Sequence, residues 1–221
     1  MKLVDLTQPY RDGMFSQRLF PPVRVSRCLS IEKSGVNVTA LDVVVHHGTH
    51  LDAPSHFIDD ARTIAELDLN EVCGPAVGLS VRRAGGEAIT ADDLESQSQT
   101  VQRGDIVLIE SGWGKYFHAD RHQYELHPYL GLDAAQWLVD REVKVVGLDV
   151  PTPDMPEPVR PAGFNWPVHH LLLGAGTLIC EHMANLDLVV GQRFEAFLFP
   201  LPIGGGDGSP VRAVAHIGIG E

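Results

Sequence analysis

Alternation of apolar and polar side chains organises this chain from its first residues. KLVDLT (2–7) alternates and predicts a short strand, and residues 9–22, with Pro9, Gly13, Pro21 and Pro22, predict loop. VNVTALDVVVHH (36–47) is rich in β-branched residues and predicts a strand running to His46 and His47. Segments 76–82 (AVGLSVR) and 105–110 (DIVLIE) predict two more strands. Between them Thr90 opens TADD, a capping-box pattern that predicts a short helix near 91–97.

Asp133 opens a helical pattern with Ala134, Trp137, Leu138 and Val143 on one face. VKVVGLDV (143–150) is apolar on both faces, which predicts a central strand. A proline-rich loop follows from Pro151 to Pro161. PVHHLLLGAG (167–176) predicts a short helix, because proline suits a first turn and glycine a helix end. TLICEHM (177–183), residues 195–199 and residues 211–219 predict strands. No repeat and no long linker divides the chain, so residues 1–221 read as a single β-rich α/β domain.

One stretch departs from this plain patterning. HHGTHLDAPSH (46–56) places four histidines and an aspartate in eleven positions, with one glycine and one proline between them. Side chains two apart share a strand face, so His50 and Asp52 are expected together with Leu51 pointing away. Gly48 gives the backbone freedom to bring His46 to the same point, and Pro54 stiffens the exit that positions His56. Imidazoles and a carboxylate converging without thiolate suit zinc or manganese. His47 is expected to face opposite to His46 and is left out. The scattered His118, His122, His127 and His216 are read as solvated or packing residues.

Composition and charge narrow the partners. The 221 residues are 44% hydrophobic and 21% charged, with a formal net charge of −12. That charge disfavours nucleic acid and anionic membrane surfaces, both of which need basic patches, and leaves a small molecule as the expected partner. Cys28, Cys73 and Cys180 are odd in number and widely spaced, so neither a disulfide framework nor a thiolate metal site is expected. MKLVDLTQPY is unlike a signal peptide, and the expected location is the cytoplasm.

HHGTHLDAPSH resembles the HxGTHxDxPxH signature of the cyclase family of metal-dependent hydrolases, which includes bacterial kynurenine formamidase and isatin hydrolase. DLTQP, GLDVPTPD (147–154), HHLLLGAGTLICE (169–181) and DGSPVRAV (207–214) resemble family segments in the same order. The resemblance implies metal ligation by His46, His50 and Asp52, with His56 as proton shuttle. It further implies a ligand histidine and glutamate twelve positions apart, which here are His169 and Glu181. Glu181 also ends the apolar run LIC, where an unpaired carboxylate would be costly. By the same resemblance the fold is a swivelling β/β/α domain, assembled as a homodimer or homotetramer. The reaction is cleavage of a C–N bond in a small aromatic formamide or cyclic amide, such as N-formylkynurenine or an isatin, by water activated on one or two Zn2+ or Mn2+ ions.

The chain departs from kynurenine formamidases in the loop after DLTQP. It reads DGMFSQ where they carry a tryptophan, and this bears on the substrate rather than on the metal chemistry. Phe15, Phe57 and Trp166 are candidate aromatic walls. Three alternatives stand beside the amidase. They are a lactone hydrolase on the same site, a non-haem iron oxygenase using His50-x-Asp52, and a non-catalytic metal-binding protein. ESGWG (110–114) lacks the spacing of a nucleophile elbow, Cys180 is read as a core residue, and GGGDGS (204–209) as a flexible turn.

Overall fold

A computed structural model describes residues 2–97 and 101–218. Numbered in chain order, the strands are β1 (Lys2–Asp5), β2 (Arg24–Leu29), β3 (Val38–Asp42), β4 (His50–Asp52), β5 (Cys73–Ser80), β6 (Ala88–Ile89) and β7 (Ile106–Glu110). They continue with β8 (Tyr129–Leu130), β9 (Val145–Leu148), β10 (Leu178–Glu181), β11 (Arg193–Phe197), β12 (Gly208–Pro210) and β13 (Val214–Ile217). The helices are α1 (Ile31–Ser34), α2 (Ala91–Glu95), α3 (Arg121–Glu125), α4 (Leu132–Asp140) and α5 (Pro167–Ala175).

Nine strands form one mixed sheet in the order β1-β13-β11-β5-β7-β9-β10-β4-β12. Its centre, β5-β7-β9-β10, is parallel, and the flanking pairs are antiparallel. Parallel strands buried on both faces need apolar residues in both registers, as the sequence of β9 anticipates. Within β7, Val107 and Ile109 pack beneath Leu138 of α4 and Leu172 of α5, while Ile106 and Leu108 face a second core with Phe194 and Ala215. Thr90 caps α2 as expected: its hydroxyl accepts from the Asp93 amide, and the Asp93 carboxylate accepts from the Thr90 amide. Cys180 is fully buried in the second core. The last strand is shorter than expected, Val214–Ile217, and residue 219 lies outside the described residues.

The strand expected over 36–47 needs correction. It stops at Asp42 and pairs with β2 in an exposed two-stranded hairpin outside the main sheet. The physical cause is a turn the chain makes with its own histidine. The His47 amide donates to Val44 O, and the Val44 amide donates to His47 Nδ1 at 2.9 Å, so both are lost to strand pairing. His46 therefore sits in a turn, not at a strand end. Among the described residues no helix is long and apolar enough to cross a membrane.

Candidate metal centre

The site is built where β4 and β10 pair. Antiparallel register sets His50 opposite Glu181 and Asp52 opposite Ile179. Alternation then turns His50, Asp52 and Glu181 to the face covered by α5, while Leu51 and Cys180 enter the core behind. His169 comes down on them from the first turn of α5. The tight turn before β4 requires Gly48, whose φ is 61°; a Cβ there would also press on Met14 Cε at 3.0 Å and the Tyr10 ring at 3.3 Å.

All six residues picked out in the sequence converge. Their donor atoms fall into three overlapping groups, His46/Asp52/His56, Asp52/His169/Glu181 and His50/Glu181/His182, joined through Asp52 and Glu181. His50 Nδ1 donates to Gly48 O at 2.8 Å, so that nitrogen carries the hydrogen. Its Nε2 lone pair faces Asp52 Oδ1 at 3.2 Å and Glu181 Oε2 at 3.4 Å. His169 Nδ1 is held by Asp154 at 2.6 Å, which aims Nε2 at Glu181 Oε1 (3.3 Å) and Asp52 Oδ2 (3.6 Å). His50 Nε2, Asp52 Oδ2 and Glu181 Oε1 are all buried, and none makes a hydrogen bond. Three buried acceptors converging without a donor repel one another, and a divalent cation is the group that satisfies all three. Oxygen and imidazole donors without thiolate fit a divalent cation.

Electrostatics divide the cluster. Burial raises the carboxyl of Asp52, but the surrounding imidazoles outweigh it and hold Asp52 well below the usual carboxylate range. Burial and the neighbouring Asp52 charge push Glu181 up. Burial opposes a charge on His46, yet its hydrogen bonds to Asp207 and Asp52 push it up to about 10. Burial lowers His56 to about 4, and His46, stacked on it with ring centres 4.0 Å apart, adds to the effect.

Several contributors escape sequence reasoning. Asp207, in the glycine-rich segment read as a plain turn, binds His46 Nε2 at 2.9 Å and His56 Nδ1 at 3.0 Å. Asp154 accepts from the Val168 and His169 amides as well as from the His169 ring, fixing that histidine at the start of α5. His182 lies within the strand expected over 177–183, but β10 ends at Glu181 and His182 adopts φ 55°. Its ring turns inward, hydrogen-bonded to the Tyr124 hydroxyl at 2.9 Å. Asp154 and Asp207 both lie in segments that resemble the family, at the end of GLDVPTPD and at the start of DGSPVRAV, but only Asp154, shortly before a proline-started helix, offers a local physical signal.

The aromatic surroundings also differ from expectation. Phe57 stacks on His169 with ring centres 4.4 Å apart, and Trp166 packs beside Phe57. From the loop that lacks tryptophan, Phe20 stacks on His46 with ring centres 6.2 Å apart, while Phe15 packs on His182 at 5.6 Å. Phe15 is buried against Phe117 and Tyr124 and lines an adjoining cavity of about 260 Å³.

The mixed sheet and its buried histidine–carboxylate cluster define a class of fold and site that known proteins share. Residues 4–155 match the family model described as putative cyclase, and the chain belongs to that family. Kynurenine formamidase of Bacillus cereus is 34% identical over 213 residues, covering 96% of this chain and 95% of that one. Isatin hydrolase A of Ralstonia solanacearum has the same fold, with TM-score 0.84 and 23% identity over 97% of this chain and 91% of the other. A predicted metal-dependent hydrolase from Bacillus stearothermophilus aligns with TM-score 0.75 and 26% identity over 97% of each chain.

Proposed function

We propose that this protein is a metal-dependent amidohydrolase that cleaves the C–N bond of a small aromatic formamide or cyclic amide. His46, His50, Asp52, His169 and Glu181 hold one or two divalent ions, Zn2+ or Mn2+, and His56 moves the proton. The observation that carries this reading is the trio of buried acceptors without donors, His50 Nε2, Asp52 Oδ2 and Glu181 Oε1. A divalent ion there supplies a water of lowered pKa and polarises the scissile carbonyl.

The chain's own residues do the rest. Asp207 is an acceptor, so the hydrogen on His56 lies on Nδ1 and the Nε2 lone pair is left as a base. At neutral pH, His56 is uncharged and ready to take a proton, and Asp207 stabilises the imidazolium that results before the proton passes to the leaving nitrogen. Asp154 fixes the tautomer and aim of His169. Phe20, Phe57 and Trp166 wall the small cavity above the cluster and suit an aromatic ring.

The 34% identical relative that bears the name kynurenine formamidase supports N-formylkynurenine as the first substrate to test, and the isatin hydrolase fold supports a fused lactam as the second. A lactone hydrolase would use the same groups. An iron oxygenase would leave the His56–Asp207 pair without a role, as would a storage site. Exposed apolar residues on the β2–β3 hairpin, Leu29, Val38 and Leu41, support assembly as a homodimer or homotetramer.

The test is metal analysis of protein purified without chelator, followed by anaerobic assays on formanilides, isatins, hydantoins and lactones with added zinc or manganese. The expected result is bound divalent metal and fastest turnover on an aromatic formamide or fused lactam. Turnover that requires oxygen sinks the hydrolase, and turnover on aliphatic lactones alone sinks the amidase.

A further inference from the structure

Most arginines in the described residues close an ion pair with a carboxylate, as Arg62 does with Glu71 and Arg212 with Asp5. Arg160 does not. Its Nε donates to Met155 O at 2.6 Å, and its guanidinium lies 4.9 Å from the Phe164 ring centre and 5.3 Å from that of Trp166. Among the described residues no carboxylate comes within 4.0 Å of its nitrogens. The other arginines without a carboxylate partner, Arg11, Arg24 and Arg27, are exposed, whereas Arg160 is half-buried. Burial opposes the charge on Arg160 and outweighs the favourable charges of Asp154, Glu157 and Glu181, none of which forms an ion pair with it, so the fold holds a cation under-solvated.

Its place gives that cation a use. Arg160 lines the small cavity above His46, His56 and His169 and also the adjoining cavity of about 260 Å³; Gln17, Thr152 and Trp166 are common to both walls. The other charged groups of the outer cavity are committed or exposed: Arg18 pairs with Glu125, Glu125 also holds Arg121, and Glu157 is exposed. His127 there is neutral, lowered by burial to about 4. On a chain of net charge −12, an anionic ligand is repelled at long range unless a local cation receives it. Arg160, with its terminal nitrogens uncommitted, can take a carboxylate through paired, charge-assisted hydrogen bonds.

We infer that Arg160 is a specificity-determining residue that receives a carboxylate carried by the substrate outside the scissile amide, so that the site selects carboxylate-bearing aromatic amides over those of the same ring without a carboxylate. This rests on the amidohydrolase reading and adds the substrate's charge to it. The bland role for Arg160 is to brace the proline-rich loop through Met155 O and the aromatic shelf. That role makes no distinction between charged and neutral substrates.

The test uses a matched pair on the metal-loaded enzyme: 4-(2-formamidophenyl)-4-oxobutanoate, which is N-formylkynurenine without its α-ammonium group and ends in a carboxylate, and the neutral 2-formamidoacetophenone. Arg160→Gln should raise KM for the charged substrate by roughly 10- to 100-fold, with kcat and the neutral substrate little changed. Arg160→Lys, which keeps the charge without the fork, should fall between. Equal losses on both substrates, or no loss on either, overturn the inference. Calorimetry decides it without turnover. Wild type should bind 4-(2-aminophenyl)-4-oxobutanoate more tightly than 2-aminoacetophenone, and Arg160→Gln should abolish the difference. If Arg160→Gln fails to fold, Arg160→Lys carries the same comparison. A wild type that hydrolyses neither formamide yet shows the binding difference refutes the amidohydrolase and keeps the anion site. Equal binding of the two amines by wild type refutes the anion site alone.

Discussion

Two buried carboxylates stand at the carboxyl end of the same parallel strands, on opposite faces of the sheet, and they are treated in opposite ways. Asp149 follows β9 and is wrapped by donors: its oxygens accept from the amides of Ser111, Gly112 and Gly114 and from the Ser111 hydroxyl. Glu181 ends β10 and keeps Oε1 without a hydrogen bond beside the equally unpartnered Asp52 Oδ2. A cavity of about 360 Å³ opens beside Asp149, while the space directly above Glu181 is about 50 Å³. Burial and charge do not tell the two apart, and cavity size would rank Asp149 as the functional group. Unsatisfied valence ranks Glu181, because a carboxylate with all its hydrogen bonds made has nothing left to offer a ligand. The difference separates a carboxylate that holds the ESGWG loop from one that waits for a cation.

The sharpest way to break this contrast is to remove each carboxylate. Asp149→Ala orphans the amide of buried Ser111 and those of half-buried Gly112 and Gly114, and should cost about 3–5 kcal/mol in urea unfolding, with or without metal. Glu181→Gln is nearly isosteric and removes a like charge from beside Asp52. In chelator-treated protein it should cost less than about 1 kcal/mol, but it should abolish the rise in Tm that zinc or manganese gives wild type. If Glu181→Gln unfolds as readily as Asp149→Ala, or still binds metal as wild type does, the contrast is wrong.

A second comparison lies inside the site, between the groups proposed to hold an ion and the groups proposed to move the proton. His56→Ala should retain metal by elemental analysis and lose about 10²–10⁴ in kcat. Asp207→Asn weakens the orientation of His56 and its imidazolium, and a loss of about tenfold or somewhat more is expected, again with metal retained. Metal-free His56→Ala protein would show that the two roles are misassigned.

How much of this was legible beforehand depends on range. His50, Leu51 and Asp52 could be read from strand alternation, and the α5–β10 unit from its proline start and apolar run, because each is local. The same logic failed at His46 and His182, where the strand was assumed to continue. Val44 and His47 close a turn in one place, and a positive φ at His182 ends β10 in the other. Asp207 opens the family-like segment DGSPVRAV, but local physical reading gave it no role. Its partners lie 161 and 151 residues away, and no local pattern marks a turn aspartate that meets them only once β12 pairs with β4. The hairpin β2–β3 misled for a related reason: β-branched residues favour a strand without saying which sheet it joins.

The smallest expected effect concerns a histidine that sequence reading set aside. His127 is buried, donates from Nδ1 to Pro128 O at 2.8 Å, and is lowered by burial to about 4. Folded, it stays neutral down to that pH; unfolded, it takes a proton below its ordinary value near 6.5. The unfolded state therefore binds more protons between about pH 6.5 and 4, and by linkage the folded state loses stability as pH falls through that window, with the full contribution present above it. Between pH 7.5 and 5 the loss from this one group should be on the order of 2 kcal/mol. His127→Gln, whose amide can still donate to Pro128 O, should flatten that part of the acid limb and leave stability at pH 7.5 within about 1 kcal/mol of wild type. Urea unfolding of both proteins at several pH values, in chelator so that metal loading does not contribute, reads the difference. An unchanged acid limb in His127→Gln would show that His127 protonates in the folded protein as easily as in the unfolded chain.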